Sequence, residues 1–303
     1  MNSNLVPIVF IHIGAQGMPA PPDYARIAVQ QARKWNPETP IFFLSSSIPE
    51  GGYGAGEEWI AIDTIPKTPE HIRFNETSPL DVSFRNGFWR FTTERLFTLH
   101  DWITWKGVSE CIHIENDINL YYDLFTLLPI FRSTCKGISA PFQGEAKTKQ
   151  RIHMCYSIVY CNRPEALKDF MFFLAASPST IDEMQRGGEY WMDNDDACSL
   201  LPVVPCGARL VSENYRHCAE NPAFPCVFDA MAYGQYLGGE DPRNGPRGPG
   251  FINEDAEFRA DQFLYGWKAD KVGRRYPVLL DKNGKEWPIA NLHIHCKRLE
   301  DFL

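Results

Sequence analysis

The first 62 residues alternate between strand-like and helix-like patterns, and this order constrains the fold more than any other feature. Val6 to Ile13 is an apolar run rich in β-branched residues, which predicts a strand. A helix is predicted over Tyr24 to Lys34, and shorter strands at Ile41 to Leu44 and Trp59 to Ile62. Strands that alternate with helices favour an α/β fold with a mostly parallel sheet flanked by helices. In such sheets, ligands collect at the carboxyl ends of the strands.

The remainder of the chain continues with longer elements and then changes character. The predicted elements are helices at Phe84 to Trp105 and Pro164 to Ala175, and strands at Cys111 to Ile114, Ile152 to Cys161 and Ile289 to Cys296. From about residue 200 proline and glycine become frequent, above all in the stretch 238–250. This stretch predicts an ordered, irregular loop over a binding cleft.

The charge balance and the cysteine spacing exclude several classes of protein. The chain of 303 residues has a formal net charge of −8, which argues against a nucleic-acid partner. It contains no apolar run of ~18 residues, so no membrane span is expected, and its start does not resemble a secretion signal. The nine cysteines lack CxxC or CxxH spacing. They predict free thiols in a reducing compartment, and therefore a cytoplasmic protein.

An acidic triplet, Glu115-Asn116-Asp117, directly follows the predicted strand at Cys111 to Ile114. Carboxylates at positions i and i+2 of a strand-to-loop junction can aim at one point beyond the sheet. Oxygen ligands of this kind suit Mg²⁺ or Mn²⁺, whose coordination is commonly completed by substrate phosphates. The alternative is a solvated turn with no ligand.

A second cluster lies near the end of the chain, where His293, His295 and Lys297 alternate. On a strand these three side chains would share one face. Imidazole can complete a Mn²⁺ shell begun by Asp117, and Lys297 can meet a diphosphate. The alternative is a half-buried strand with satisfied histidines, and the sequence does not separate the two histidines.

Other polar residues could bind a sugar or act on a hydroxyl group. Asp193, Asn194 and Asp195 could hold sugar hydroxyls, steady a cationic transition state, or only cap the start of a helix. Glu240 or Asp241 could be a general base for an acceptor hydroxyl, or both could be turn residues.

Candidates for binding the sugar or phosphate groups of a donor substrate lie at strand ends and on the helix before the triplet. Arg90 and Arg95 could reach a donor sugar or phosphate, or form ordinary ion pairs. The remaining candidates are Ile11, Gly14, Ser45 and Asn116. Gly14 and Ser45 could equally belong to ordinary loops between strands and helices.

The ordered set of motifs resembles the GT-A superfamily of nucleotide-sugar-dependent glycosyltransferases. The segment "HIENDINLY" places Glu115 and Asp117 at the acidic positions of the family's DxD motif. "DNDDACSLL" is similar to the D-Q-D-x-L-N segment of glycogenin-like and lipopolysaccharide galactosyltransferase-like members, and Asp193 to Asp195 match it. "NLHIHCK" resembles their C-terminal metal-binding His and phosphate-binding Lys. "FDAMAYGQYLGGEDPRN" and "GFINE" resemble segments of uncharacterised bacterial and viral members.

This resemblance implies a single GT-A-like domain over residues 1–303 with a Rossmann-like, mixed, mostly parallel central sheet. Residues 1–130 would form the nucleotide-sugar-binding half, and residues 131–303 the acceptor-binding half with an irregular C-terminal region. The implied activity is transfer of a sugar from a nucleotide-diphosphate donor, such as a UDP- or GDP-sugar, to a glycan or other hydroxyl acceptor. The implied cofactor is Mn²⁺ or Mg²⁺. Whether the anomeric configuration is retained or inverted stays open.

Two other functions remain compatible with the same residues. A metal-dependent phosphodiesterase or nucleotidyltransferase would use the same carboxylates and histidines. A non-catalytic carbohydrate-binding protein would bind glycans without needing Asp117.

Overall fold

The central feature of the structure, a computed structural model, is a mixed eight-stranded sheet. The strands of the chain are β1 (Ile8–His12), β2 (Ile41–Ser45), β3 (Glu58–Ala61), β4 (Cys111–Ile114), β5 (Ile118–Leu120), β6 (Ile138–Ala146), β7 (Arg151–Met154), β8 (Ile158–Cys161), β9 (Cys198–Leu201), β10 (Leu264–Ala269), β11 (Arg275–Leu280), β12 (Glu286–Pro288) and β13 (Asn291–His293). The helices are α1 (Tyr24–Trp35), α2 (Pro69–Thr77), α3 (Phe88–Lys106), α4 (Leu124–Thr134), α5 (Pro164–Ala176), α6 (Glu183–Asp193) and α7 (Tyr233–Gly238).

The structure describes residues 5–14, 20–146, 151–206, 221–245, 247–252, 259–281 and 283–303. Part of the predicted loop after β1 (residues 15–19), residue 246 of the glycine-rich loop, and residues 253 and 254 of the "GFINE" segment lie outside these ranges.

The strand order of the central sheet is β3-β2-β1-β4-β8-β6-β7, with β9 beside β6. Four of its pairings are parallel, namely β1 with β2, β2 with β3, β1 with β4, and β6 with β9. The three pairings that involve β8 or β7 are antiparallel. The predicted α/β fold with a mixed, mostly parallel sheet is therefore confirmed.

Each face of the sheet packs against its own set of helices, because alternate residues of a strand point to opposite faces. In β1, Ile8 and Phe10 pack in one buried cluster with α1 and α4. Val9 and Ile11 pack in a second cluster with α2, α3 and α5. Both faces of β1 are covered, which explains why its sequence is continuously apolar.

Two short antiparallel sheets complete the described strands. β10, β11 and β12 form one of them. The other pairs β13 with β5, and its register sets His293 opposite Ile118. This pairing brings the end of the chain beside the residues that follow β4.

Three predicted elements differ from the observed ones. The helix predicted from Phe84 begins at Phe88, because Gly87 has a left-handed φ of 85° that ends the 3₁₀ turn at Phe84–Asn86. The strand predicted over 152–161 is split by a turn into β7 and β8, which both pair antiparallel with β6 but at different positions along it. The last predicted strand is shortened to β13, since the backbone turns after His293 and reaches a left-handed φ of 62° at Lys297.

Within the described residues, no helix has both the length and the apolar character needed to span a bilayer. The eight described cysteines are all free thiols.

Candidate functional site

A cleft of about 340 Å³ lies at the carboxyl end of β4, where Asn116 of its lining is hydrogen-bonded to Ile11 of β1. Its lining combines residues from both ends of the chain, among them Tyr24, Phe84, Phe88, Trp89, Arg95, Glu115, Asp117, Glu183, Asp241, His293 and Lys297. The turn after β4 supplies the acidic triplet, and β13 with the turn that follows it supplies the histidines and the lysine. The sheet edge predicted from parallel strands is therefore the edge at which this cleft is found.

Glu115, Asp117 and His293 form a compact trio of possible metal ligands. Their ligand atoms all lie within 4.8 Å of one another. His293 Nε2 lies 3.2 Å from Asp117 Oδ2 and 3.6 Å from Glu115 Oε2. Two carboxylates and one imidazole fit a hard divalent ion such as Mg²⁺ or Mn²⁺, and the nitrogen ligand is better suited to Mn²⁺.

Two basic side chains contact this trio. The Arg95 guanidinium, from α3, pairs with Glu115. The Lys297 ammonium, which follows β13, pairs with Asp117. Burial opposes the charged form of Lys297, but the attraction of Asp117 outweighs it and raises the pKa of the ammonium. Both cations remain charged and lie where a diphosphate bound to the trio would need neutralising.

The protonation states of the trio follow from this mutual attraction. Burial opposes ionisation of Asp117, yet His293 and Lys297 hold its pKa well below its usual range. Burial likewise favours neutral His293, but Asp117 outweighs it and raises the imidazole pKa well above its usual value. His293 must therefore release a proton before it can bind a metal. Burial, followed by the neighbouring charges of His293 and Lys297, lowers the pKa of His295.

Asp229 holds β13 in position, although it does not line the cleft. Its Oδ2 accepts hydrogen bonds from the backbone N–H of His293 at 2.9 Å and of Gly234 at 2.8 Å. Its Oδ1 accepts from the N–H of Tyr233 at 2.9 Å. A single buried carboxylate thus joins the start of α7 to β13, the strand that carries His293. The sequence reasoning missed Asp229, which carries no local metal-binding pattern.

Glu183, the first residue of α6, is a second carboxylate that the sequence reasoning missed. It is 3% exposed, lines the cleft, and its Oε2 accepts hydrogen bonds from the hydroxyls of Thr92 at 3.0 Å and Thr93 at 3.1 Å. Burial is the main reason that its pKa is raised to about 7. A carboxyl with this pKa can exchange a proton near neutral pH.

The structure brings together eight of the predicted site residues in the cleft lining: Arg95, Glu115, Asn116, Asp117, Asp241, His293, His295 and Lys297. Asp241 is held by Arg243, whose guanidinium makes a 2.7 Å contact with its Oδ2. Burial opposes ionisation of Asp241, but the hydrogen bonds from Arg243 lower its pKa to about 2. An acid this strong is a poor proton acceptor.

The other predicted residues lie outside the cleft lining. Arg90 points towards α2, where it lies over the Phe74 ring at 4.3 Å and donates to Asn75 Oδ1 at 2.6 Å. Glu240 pairs with Arg247 at 2.7 Å. Asp193 is the last residue of α6 and is followed by Asn194 and Asp195. This cluster ends a helix, so the suggested cap at a helix start is wrong.

The predicted donor contacts near β1 and β2 are held in local hydrogen bonds. The carbonyl oxygen of Ile11 accepts from Asn116 Nδ2 at 3.1 Å. The N–H of Gly14 donates to Ser46 Oγ at 3.1 Å, and the Ser45 hydroxyl donates to the Ser47 carbonyl at 2.7 Å. The bond to Ile11 ties the acidic triplet to the end of β1.

Comparisons with known proteins found similarity to solved structures only. No protein-family model and no curated protein matches the sequence. Glycosyltransferases are among the solved structures that match it. Each of these structures resembles this chain in its backbone fold and shares few identical residues with it.

Three of these structures illustrate the level of similarity. Mouse xyloside xylosyltransferase 1 is 9% identical, with 70% of this chain and 89% of that chain covered and a TM-score of 0.43. The galactosyltransferase LgtC is 14% identical, with 70% and 82% covered and a TM-score of 0.44. A glycosyltransferase involved in glycosylation of the major capsid of PBCV-1 is 8% identical, with 65% and 81% covered and a TM-score of 0.35.

Proposed function

We propose that this chain is a metal-dependent glycosyltransferase that moves a sugar from a nucleotide-diphosphate donor to a hydroxyl acceptor. The observation that carries the proposal is the convergence of Glu115, Asp117 and His293 within 4.8 Å, inside an open cleft. Arg95 and Lys297 add positive charge at the same place. This combination matches the needs of a diphosphate leaving group.

A divalent ion bound to Glu115, Asp117 and His293 would stabilise the negative charge that builds on the leaving diphosphate. Side chains of this protein would bind the phosphate oxygens and orient the donor. Lys297 and Arg95 pair with carboxylates of the trio and can turn their N–H donors to phosphate oxygens. Asn116 fixes the triplet against β1 through its bond to Ile11, which orients the donor site.

Glu183 is the better candidate for proton transfer on the acceptor side. Asp241 is bound by Arg243 and has a pKa lowered to about 2, and Glu240 is paired with Arg247 outside the cleft lining. Glu183 has a pKa of about 7 and lines the same cleft. It could accept the proton of an acceptor hydroxyl in an inverting reaction, or steady a cationic sugar in a retaining one.

The donor is expected to be a UDP- or GDP-sugar and the acceptor a glycan. The proposal is tested by a thermal-shift screen of UDP-, GDP-, CMP- and dTDP-sugars with Mn²⁺ and with EDTA. A ligand that binds only the folded protein raises its Tm by mass action. At least one sugar nucleotide should stabilise the protein with Mn²⁺ and not with EDTA, and incubation with an acceptor should yield a glycosylated product.

Other outcomes favour the alternative functions. Cleavage of the nucleotide without a sugar product would indicate a phosphodiesterase or nucleotidyltransferase. Glycan binding that is unaffected by EDTA and by Asp117→Ala, with no response to any sugar nucleotide, would indicate a carbohydrate-binding protein.

A further inference from the structure

The mouth of the cleft differs chemically from its metal-binding end. Phe84, Phe88 and Trp89 line it, and Phe84 is 43% exposed. The Phe84 and Trp89 rings are nearly parallel, with an angle of 6° between their planes and centroids 6.4 Å apart. Phe88 meets Trp89 edge-on at 4.9 Å. We call these three residues the aromatic platform.

The backbone beneath the platform adopts an uncommon conformation. Arg85 and Asn86 have left-handed φ angles of 47° and 57°, and Gly87 follows with 85°. Non-glycine residues in this region cost free energy, and such costs concentrate at functional sites. Gly87 is also required by the close packing of the backbone against Phe91, since a Cβ at position 87 would lie only 2.9 Å from the Phe91 ring. The turn fixes Phe84 and Arg85 at the edge of the cleft.

Arg85 supplies a positive charge to the platform. Its guanidinium carbon lies 5.6 Å from the Phe84 ring centroid and 5.8 Å from that of Phe88. It also donates a hydrogen bond to Asn244 Oδ1 of the glycine-rich loop, across the mouth. Arg95, Lys297 and Arg243 each pair with a carboxylate. Arg85, by contrast, has no carboxylate within ion-pair distance in the part of the chain that the structure describes.

We propose that the aromatic platform, Arg85 and Asn244 form the acceptor subsite, and that the acceptor is a glycan carrying a carboxylate or phosphate group. The apolar C–H face of a pyranose ring can pack against the exposed ring of Phe84. The Arg85 guanidinium can form a bidentate pair with an anionic substituent of that ring. Asn244 can exchange its bond to Arg85 for a sugar hydroxyl.

The inference names the substrate class of the proposed transferase and so rests on that function, but glycan binding tests it separately. The wild type is applied, without donor or metal, to an array of matched neutral, uronic-acid-containing and phosphorylated glycans. We expect acidic glycans to bind in preference to their neutral counterparts. Phe84→Ala should weaken binding roughly tenfold, the equivalent of one lost ring contact. Arg85→Gln should remove the preference for acidic glycans while retaining weak binding to neutral ones.

Controls distinguish the subsite from general effects on the surface. Phe172→Ala removes another exposed phenylalanine, from α5, and Arg73→Gln removes an exposed arginine from α2. Both should bind glycans as the wild type does. The inference is overturned if wild type shows no acidic preference, or if Phe84→Ala and Arg85→Gln bind like the controls.

A donor measurement separates this inference from the proposed function. Thermal shifts with Mn²⁺ and a sugar nucleotide should be the same for Phe84→Ala and the wild type. Loss of the shift in Phe84→Ala would overturn the inference, because the platform would then hold the nucleobase. Absence of any donor shift in the wild type would contradict the proposed function, while the glycan array would still decide the inference by itself.

Discussion

Asp117 and His293 are separated by 176 residues in the chain, yet Asp117 Oδ2 lies 3.2 Å from His293 Nε2. The antiparallel pairing of β13 with β5 sets this distance, and it is reinforced by a 2.9 Å hydrogen bond from the Ile294 N–H to the Asp117 carbonyl. The candidate metal site therefore depends on a long-range strand pairing, and substitutions that displace β13 should lower the affinity for a metal ion.

Asp117→Asn should abolish stabilisation by Mn²⁺ and also weaken the metal-free protein. The variant keeps the shape of the side chain but removes the charge that His293 and Lys297 face. Leaving these largely buried cations without a counter-charge should lower the free energy of unfolding by about 2 kcal/mol. Urea unfolding with and without Mn²⁺ measures both effects. Asp169→Asn, exposed on α5, should change neither.

Glu183→Gln should stabilise the protein at pH 8 but not at pH 4.5. Burial raises the pKa of Glu183 from 4.5 to about 7. The folded state therefore keeps a proton that the unfolded state releases, and the wild type loses stability as pH rises between these values. A neutral amide avoids that loss, so the variant should gain a few kcal/mol above pH 7.

Guanidinium unfolding at pH 4.5, 6 and 8 checks this prediction. An effect of the same size at every pH would contradict it. If Glu183 also transfers the acceptor proton, the variant should lose at least ~100-fold in activity despite its higher stability.

Gly234→Ala should destabilise the protein, although alanine normally favours a helix over glycine by about 1 kcal/mol. A Cβ at this position would lie 2.0 Å from the His293 carbonyl oxygen and 3.0 Å from Asp229 Oδ2. β13 must shift to avoid it, so Mn²⁺ affinity should fall together with stability. Calorimetric titration with Mn²⁺ measures the affinity. Gly266→Ala has only an ordinary 3.6 Å contact with Val278 and should retain wild-type affinity.

His71→Gln should cost more stability at pH 6 than at pH 9. His71 Nδ1 lies 2.5 Å from Asp101 Oδ2, and Nε2 lies 2.9 Å from Glu94 Oε1, so the imidazole joins α2 to α3. Burial opposes its charge, but these hydrogen bonds outweigh burial and raise its pKa above 6.5. Its contribution is then complete below pH 6.5 and disappears as pH rises through the folded-state pKa. A loss of Tm that is independent of pH would contradict this account.

Local sequence patterns were sufficient to predict strands β1 to β4 of the central sheet and the place of the acidic triplet, whereas β6 and β9 of the same sheet were not predicted. An apolar run followed by carboxylates marks both the strand β4 and its carboxyl end, where Glu115 and Asp117 are found. Local sequence patterns did not predict which of the two arginines on α3 faces the cleft. Arg90 and Arg95 lie on different sides of the helix, and only the packing of α2 against α3 shows that Arg90 faces Phe74.

Residues whose importance arises from distant packing were not predictable. Glu183 becomes notable only because α6 buries it against Thr92 and Thr93 of α3. The alternation of His293, His295 and Lys297 suggested one strand face, but the strand ends at His293. Lys297 reaches Asp117 from a turn, and His295 Nδ1 lies 3.2 Å from Gln235 Nε2.

The central claim is that Asp117 and His293 hold a metal ion that carries the donor diphosphate. Pulsed electron paramagnetic resonance of Mn²⁺ bound to the protein together with a stabilising sugar nucleotide tests it directly. The account predicts a nitrogen coupling from one imidazole, which is lost in His293→Gln, and a phosphorus coupling from the diphosphate. A Mn²⁺ spectrum with neither coupling, or with a nitrogen coupling that persists in His293→Gln, would contradict it.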